Sequence, residues 1–472
     1  LGVDDEHLYP VCPGEYLVIN LSPKDLAVAG HKIHYAWVMV TLAAALRLSG
    51  SAVRTSFSIL VPRLVETFGW SIGAVGGILA VQWIASGLFS PLTGSLGDRY
   101  GIRRTMTFGA LLFIVCMVGA GLVMGTKTAN LLLFYLIYGI LLSIAMAIFQ
   151  VPLTAAVTMW FRKHLGLGMG ILQSSQGMGP LVFVPLVLLI IYAFGGGENG
   201  LRAAFWVTGI AGGVVMLLLI PAFYDEPAQI GLRPLGAPED EPIQRVQEPE
   251  TAKIRSKVFM NQAQRTGAFW NLIGIHFWGC GGHAIIMALL VAIAEEKGVS
   301  AGAAAGLFVV LSAFSTLSRF GVPIVADRMG SKGAMAVCFF MQSAPIIILF
   351  FAHDAWMFYV FAMLFGIGFG GEMSAFPIIN RQYYGRAPIG TAYGWQMMGA
   401  NIGMAAGVAI GAILRDLTGD YTATITVSLV LSLVGVASIL VLPTTSRQQL
   451  PNWEDAIPKD ALSNEGVPVQ TA

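Results

Sequence analysis

Charge is scarce in this chain. Only 11% of its 472 residues are Asp, Glu, Lys or Arg, against 56% hydrophobic, and the mean hydropathy is +0.72. That balance excludes an ordinary soluble domain and indicates a polytopic membrane protein. The net charge of +1 offers none of the basic surplus that nucleic acid requires. Cysteine is rare as well: Cys116, Cys280 and Cys338 fall in apolar runs and Cys12 in the polar N-terminus. Such spacing makes neither a disulfide framework nor a metal pattern. No G-x-x-x-x-G-K-[ST] stretch and no catalytic-triad context occurs, which disfavours ATP-driven pumping and enzymatic chemistry; no cofactor is expected. Residues 1–33 lack the basic-then-apolar order of a cleaved signal peptide and read as a cytosolic segment.

What the chain has in abundance is long apolar runs. Twelve are long enough to cross a bilayer, near 34–57, 71–93, 104–125, 130–156, 166–193, 202–222, 267–294, 303–325, 335–352, 355–379, 390–414 and 421–442. Residues 224–265 between the sixth and seventh are polar, rich in Pro and Glu, and end basic. They read as a cytosolic linker between six-helix bundles at 34–223 and 266–443, with a cytosolic tail at 444–472. Alternate loops carry Arg99, Arg103 and Arg104; Arg162 and Lys163; the basic linker; Arg328 and Lys332; Arg381 and Arg386. By the positive-inside rule these loops and both termini are cytosolic. The halves also read as repeats: at an offset of 224, Gly166, Gly170 and Gly179 fall on Gly390, Gly394 and Gly403. Close-packing glycine faces suit two repeats that rock against each other.

A few charges lie inside the runs. Arg319 sits eight residues before Asp327, about 12 Å along a helix, and so near the middle of a core about 30 Å thick. An arginine there must face a wet cavity or a partner rather than lipid. Arg47 and Arg54 lie seven apart, on one face of the first helix. Arg54 can snorkel to the outer interface, whereas Arg47 is too deep and reads as cavity lining. Glu372 is nine residues before Arg381, about 13.5 Å in, close to the depth of Arg319. Its expected partner is Arg319. His283 reads as a satisfied histidine in a Gly-rich helix, although it could titrate near neutrality.

The loop Gly94-Ser95-Leu96-Gly97-Asp98-Arg99-Tyr100-Gly101-Ile102-Arg103-Arg104 resembles the signature G-x-x-x-D-R-x-G-x-[RK]-[RK] of the major facilitator superfamily. Asp327-Arg328-Met329-Gly330-Ser331-Lys332 is its partial echo after the eighth run. The resemblance implies an all-α membrane protein with twelve transmembrane helices in two pseudo-symmetric bundles around a site that opens to alternate sides. Asp98, Arg99, Asp327 and Arg328 then become gating candidates. Ser56–Pro62, Phe68-Gly69-Trp70-Ser71, Phe269-Trp270 and Asp416-Leu417-Thr418-Gly419-Asp420-Tyr421 look like bacterial monocarboxylate and oxalate–formate carriers. In those, an arginine of the eighth helix binds the substrate carboxylate, and Arg319 occupies that place. The chain departs twice: Ser315 stands where many monocarboxylate carriers have aspartate, and Gln396 and Asn401 stand in the helix where oxalate carriers use lysine.

The expected function is secondary transport of a small organic anion across the cell (inner) membrane by a monomeric unit, as monocarboxylate:proton symport. Expected ligands are Arg319, Arg47, Arg54, Gln173, Gln396 and Asn401, with Glu372 as the proton-coupling acid. Permanently charged guanidinium forks suit carboxylates. Alternatives are exchange without proton coupling, efflux of cations or apolar compounds with Glu372 as the cation site, and a transport-dead sensor.

Overall fold

A computed structural model describes residues 27–28, 31–124, 128–243 and 248–458; the side chains of residues 27–28, 31–32, 51–56, 58–59, 72, 128–129 and 180–181 lie outside this set. The expectations placed on the N-terminal segment, Cys12, the end of the tail and the Arg54 side chain therefore fall outside the described residues. A lipid environment supplies no partner for backbone polar groups, so the chain satisfies them within helices. The long helices are α1 Ala36–Phe68, α2 Ile72–Tyr100, α3 Ile102–Leu122, α4 from Thr128 to Trp160, α5 Leu165–Ala193, α6 Gly197–Leu219, α7 Gly267–Glu296, α8 Ala301–Met329, α9 Ser331–Phe351, α10 Ala355–Tyr384, α11 Gly390–Thr418 and α12 Thr422–Val441; among the described residues the eleven from α2 to α12 are each long and apolar enough to span, and α1 makes the twelfth helix of the fold. α4 has a π-helical stretch at Tyr135–Leu141, and α9 a 3₁₀ turn at Ala344–Ile347. Ser71 and Thr266 start α2 and α7 as N-caps, accepting from the amides of Ala74 and Phe269 at 3.1 and 3.3 Å.

Helix ends run past the boundaries drawn from the apolar runs. The signature stretch is not a loop: Asp98 and Arg99 lie in the last turn of α2, and Gly101 alone separates it from α3. Gly101 has φ 90°, and Gly330, between α8 and α9, has φ 92°; both conformations are open to glycine and strained for other residues. The stretch Ser56–Pro62 is likewise helical, within α1. Within the linker, Pro249–Ala263 forms a helix. That helix packs Phe259 against Tyr384 and against Trp453 of the tail.

α1–α6 form one bundle and α7–α12 the other, each with its own apolar core. The bundles meet along two seams, α2 with α11 and α5 with α8. Small residues let the backbones touch. A Cβ on Gly94 would overlap the Gly390 carbonyl, and one on Gly166 would overlap the Pro323 carbonyl. The second seam runs from Gly166 to the Gly177–Thr316 contact, about 16 Å in from the basic-loop end.

Candidate functional site

Two arginines, one from each bundle, lie near enough to repel each other. Arg47 of α1 is 3% exposed, and its Nη1 donates to Gln173 Oε1 of α5 at 2.7 Å. Its Nη2 donates to the Gln150 carbonyl of α4 at 3.4 Å. The other end of the Gln173 amide crosses between the bundles and donates to the Met373 carbonyl of α10 at 3.1 Å. Gln173 therefore holds Arg47 in place, and its own polar groups are committed. Tyr393 of α11 faces Arg47 from the second bundle and was missed in the sequence.

Arg319 of α8 is half-buried. Its Nε donates to Ser315 Oγ at 3.4 Å, one turn earlier on the same face. Its guanidinium lies over the Phe369 ring of α10, 5.3 Å from the centroid. Arg319 feels repulsion from Arg47 and attraction from Glu372. Among the described residues no carboxylate forms an ion pair with either arginine.

The expected Arg319–Glu372 contact is replaced by another. Glu372 is fully buried, and its Oε2 lies 3.1 Å from His283 Nδ1 of α7. Oε1 accepts a long contact of 3.8 Å from Cys280 Sγ. Cys280 and His283 are three apart on α7, which puts both on the face turned toward α10. The i,i+3 spacing was legible in the sequence, but nothing in it pointed to Glu372 on a distant helix. Donor atoms of the three residues lie within 4.8 Å of one another. The Phe369 ring touches this group too: its centroid is 4.8 Å from that of His283, at 74°.

Two expected ligands are placed elsewhere. Gln396 and Asn380 exchange two amide hydrogen bonds, both 2.9 Å, inside the second bundle. Both ends of the Gln396 amide are thus occupied, and it acts as interhelical glue. Asn401 donates to Met397 O of its own helix at 2.8 Å, and its Cβ packs on Gly87 in the α2–α11 seam.

The gating candidates lie at the basic-loop end. Asp98 Oδ1 accepts from Gly390 N at 3.1 Å; Oδ2 accepts from Thr391 N at 2.7 Å and Thr391 Oγ1 at 2.8 Å. An acid of one bundle thus caps α11 of the other, where the helix terminus favours negative charge. Asp327 occupies the corresponding place beside Gly166. It is exposed, as are Arg99 and Arg328. The linker adds a third tie, as Glu241 accepts from Arg162 at 2.6 and 3.0 Å and from Arg386 at 2.7 Å. Asp225 accepts from Ile102 N at 2.9 Å and Arg103 N at 2.8 Å at the start of α3. Burial raises its carboxyl above the ordinary range, while those amides, Arg103 and Arg104 pull it back. A cavity of about 700 Å³ at this end includes Arg162, Arg386 and Glu241 in its wall but neither central arginine.

Two bundles of six spanning helices, tied at one face and holding opposed arginines at the centre, define a membrane carrier rather than an enzyme. The family model of the Major Facilitator Superfamily matches residues 42–344 and 273–464, and the chain belongs to that superfamily. It is 24% identical over 371 residues to the oxalate:formate antiporter of Oxalobacter formigenes, covering 76% of this chain and 80% of that one. It is 22% identical over 389 residues to monocarboxylate transporter 12 of Xenopus laevis, covering 76% and 78%. A solved proton:xylose symporter superposes with a TM-score of 0.65 at 13% identity, over 90% of this chain and 99% of that one. A bacterial homologue of the iron transporter ferroportin, in an outward-facing state, gives 0.67 at 12% identity, over 85% and 98%. The protein is thus a multi-pass transporter of the facilitator fold.

Proposed function

We propose that this transporter carries a small organic anion bearing a carboxylate, taken up together with a proton by alternating access. The observation that carries the reading is that Arg47 and Arg319, from opposite bundles, lie near enough to repel each other, with no acid among the described residues paired to either. A carboxylate between them would relieve their repulsion and draw the bundles together. Arg319 is the primary anchor and Arg47 the second; Gln173 sets the position of Arg47. The names of the relatives, an oxalate:formate antiporter and a monocarboxylate transporter, agree with that substrate class.

In this reading, units 34–223 and 266–443 rock about the central site, joined by 224–265. The basic-loop face is cytosolic, both termini lie on that side, and the membrane is the inner cell membrane. The closed cytosolic face is held by Asp98, with Arg99, Asp327 and Arg328 bearing on the same gate. Proton coupling resides on Glu372 with His283. The alternative of exchange without a proton keeps the arginine site and drops the role of Glu372.

The deciding experiment uses purified protein in liposomes. A thermal-shift screen of carboxylates first identifies a ligand, and an imposed inward proton gradient is then applied. Accumulation of that anion above its external concentration supports symport. Exchange without accumulation favours the antiport alternative, and no effect of any carboxylate on transport or stability removes the anion reading.

A further inference from the structure

Phe369 is in contact with both halves of the proposed machinery. Its face carries the Arg319 guanidinium at 5.3 Å, and its ring lies 4.8 Å from His283. Phe369 itself is half-buried, whereas His283 is 1% exposed and Glu372 is 0% exposed. His283 Nδ1 is committed to Glu372, but its Nε2 is buried and meets no hydrogen-bond partner among the described residues. A buried ring nitrogen with lone-pair or N–H capacity left over is costly unless it has a use. The other titratable or charged groups around the pair are His276 and Cys280 on α7, Arg319 on α8 and Cys338 on α9. Tyr393 of α11 reaches Cys280, and Arg47 of α1 acts on Arg319. Ser428 and Ser432 of α12 pack against Gly282 of α7 and are not charged.

We infer that Phe369 is the partition between the anion site and the proton store, and that its displacement couples the two. The inference rests on the symport reading above. A carboxylate forms two charge-assisted hydrogen bonds with a guanidinium, a stronger interaction than the ring face offers. An arriving anion therefore draws Arg319 off Phe369. The ring, released from its cation, swings from His283 and lets water reach Nε2. One net proton enters: Nε2 takes it from hydronium arriving with that water, Nδ1 passes its own to Oε2, and Glu372 goes from carboxylate to carboxylic acid. With no anion on Arg319 the ring stays closed, and a proton cannot cross alone.

The first test works without an identified substrate. Cys280 is 1% exposed and its Sγ lies 3.8 Å from Glu372 Oε1, so its reactivity serves as the reporter of opening at the pair. With Cys12, Cys116 and Cys338 changed to serine, Cys280 alkylation by N-ethylmaleimide is followed by mass spectrometry. Phe369→Ala is expected to speed alkylation about tenfold or more, and Phe369→Trp to leave it slow, because thiol reaction follows local opening. Retaining Cys116, buried in the other bundle, in a parallel protein shows whether the fold has loosened generally; its rate should not change. An unchanged Cys280 rate in Phe369→Ala overturns the partition. In liposomes with radiolabelled lactate as probe, Phe369→Ala should lose accumulation under a proton gradient. Full accumulation by that variant also overturns the partition while leaving symport intact. Failure of the unaltered protein to accumulate lactate or the anion found by the thermal screen overturns the symport reading instead, and the proton role of the pair with it.

Discussion

Asp98 and Thr391 belong to opposite bundles and are joined twice, through the Thr391 amide and hydroxyl, both on Oδ2, at 2.7 and 2.8 Å. The carboxylate charge matters more than the shape. Asp98→Asn keeps an acceptor but weakens a contact of a kind worth about 1.5–3 kcal/mol, a shift of up to roughly 10- to 150-fold in the closed-to-open ratio. A cysteine at Ser90, 1% exposed beside Gly394 in the same seam, should then label faster from the basic-loop side. Equal labelling with and without the substitution would show that Asp98 does not hold the gate.

Orientation can be measured directly. Cysteines placed at Ser95 or Arg162, both at the basic-loop end, should react with impermeant reagents from the cytosolic side only. Labelling of either in intact cells reverses the proposed topology.

Arg319→Lys preserves the charge and removes both the planar fork and the contact with Phe369. Binding of a carboxylate should fall by about tenfold or more. Isothermal titration of the variant with the ligand found by thermal screening is the check, and undiminished affinity would remove Arg319 from the site.

Glu372→Gln should keep anion binding and exchange while losing proton-driven accumulation. The glutamine can still accept from His283 but cannot take up a proton. Accumulation by this variant under an inward proton gradient would place coupling elsewhere.

Charge balance decides between substrates. One monocarboxylate brings a single negative charge to two arginines, and Glu372 is bonded to His283 instead of to Arg319. If the buried pair is neutral while the anion is bound, a dianion should bind more tightly than lactate. Competition between succinate and lactate measures this, and a strong preference for succinate would move the substrate class from monocarboxylates to dicarboxylates.

The architecture was legible because spanning helices announce themselves by length and hydropathy, and because every second loop along the chain is basic. Arg47 and Arg319 were legible for the same reason, since a midplane charge is expensive and has to be used. Helix ends extend further than composition suggests: charged residues such as Asp98 and Asp327 look like loops, yet they complete helical turns up to Gly101 and Gly330. Side-chain partners were the hardest to see. Glu372 and Arg319 share a depth, but depth says nothing of rotation about the helix axis, and that rotation turns Glu372 toward His283. Gln396 failed similarly, because its helix lines the centre in the resembled fold while its own side chain turns back to Asn380.

The closed face of the molecule is made where the backbone of one half touches that of the other, at Gly94 against Gly390 and Gly166 against Pro323. Such a joint has almost no vocabulary: any side chain there is an obstruction, so few substitutions can refine it. The arginine centre is built from side chains and can be rewritten one residue at a time. Drift in this lineage would therefore change what is carried long before it changes how the door shuts, and one hinge could serve successive cargoes without redesign.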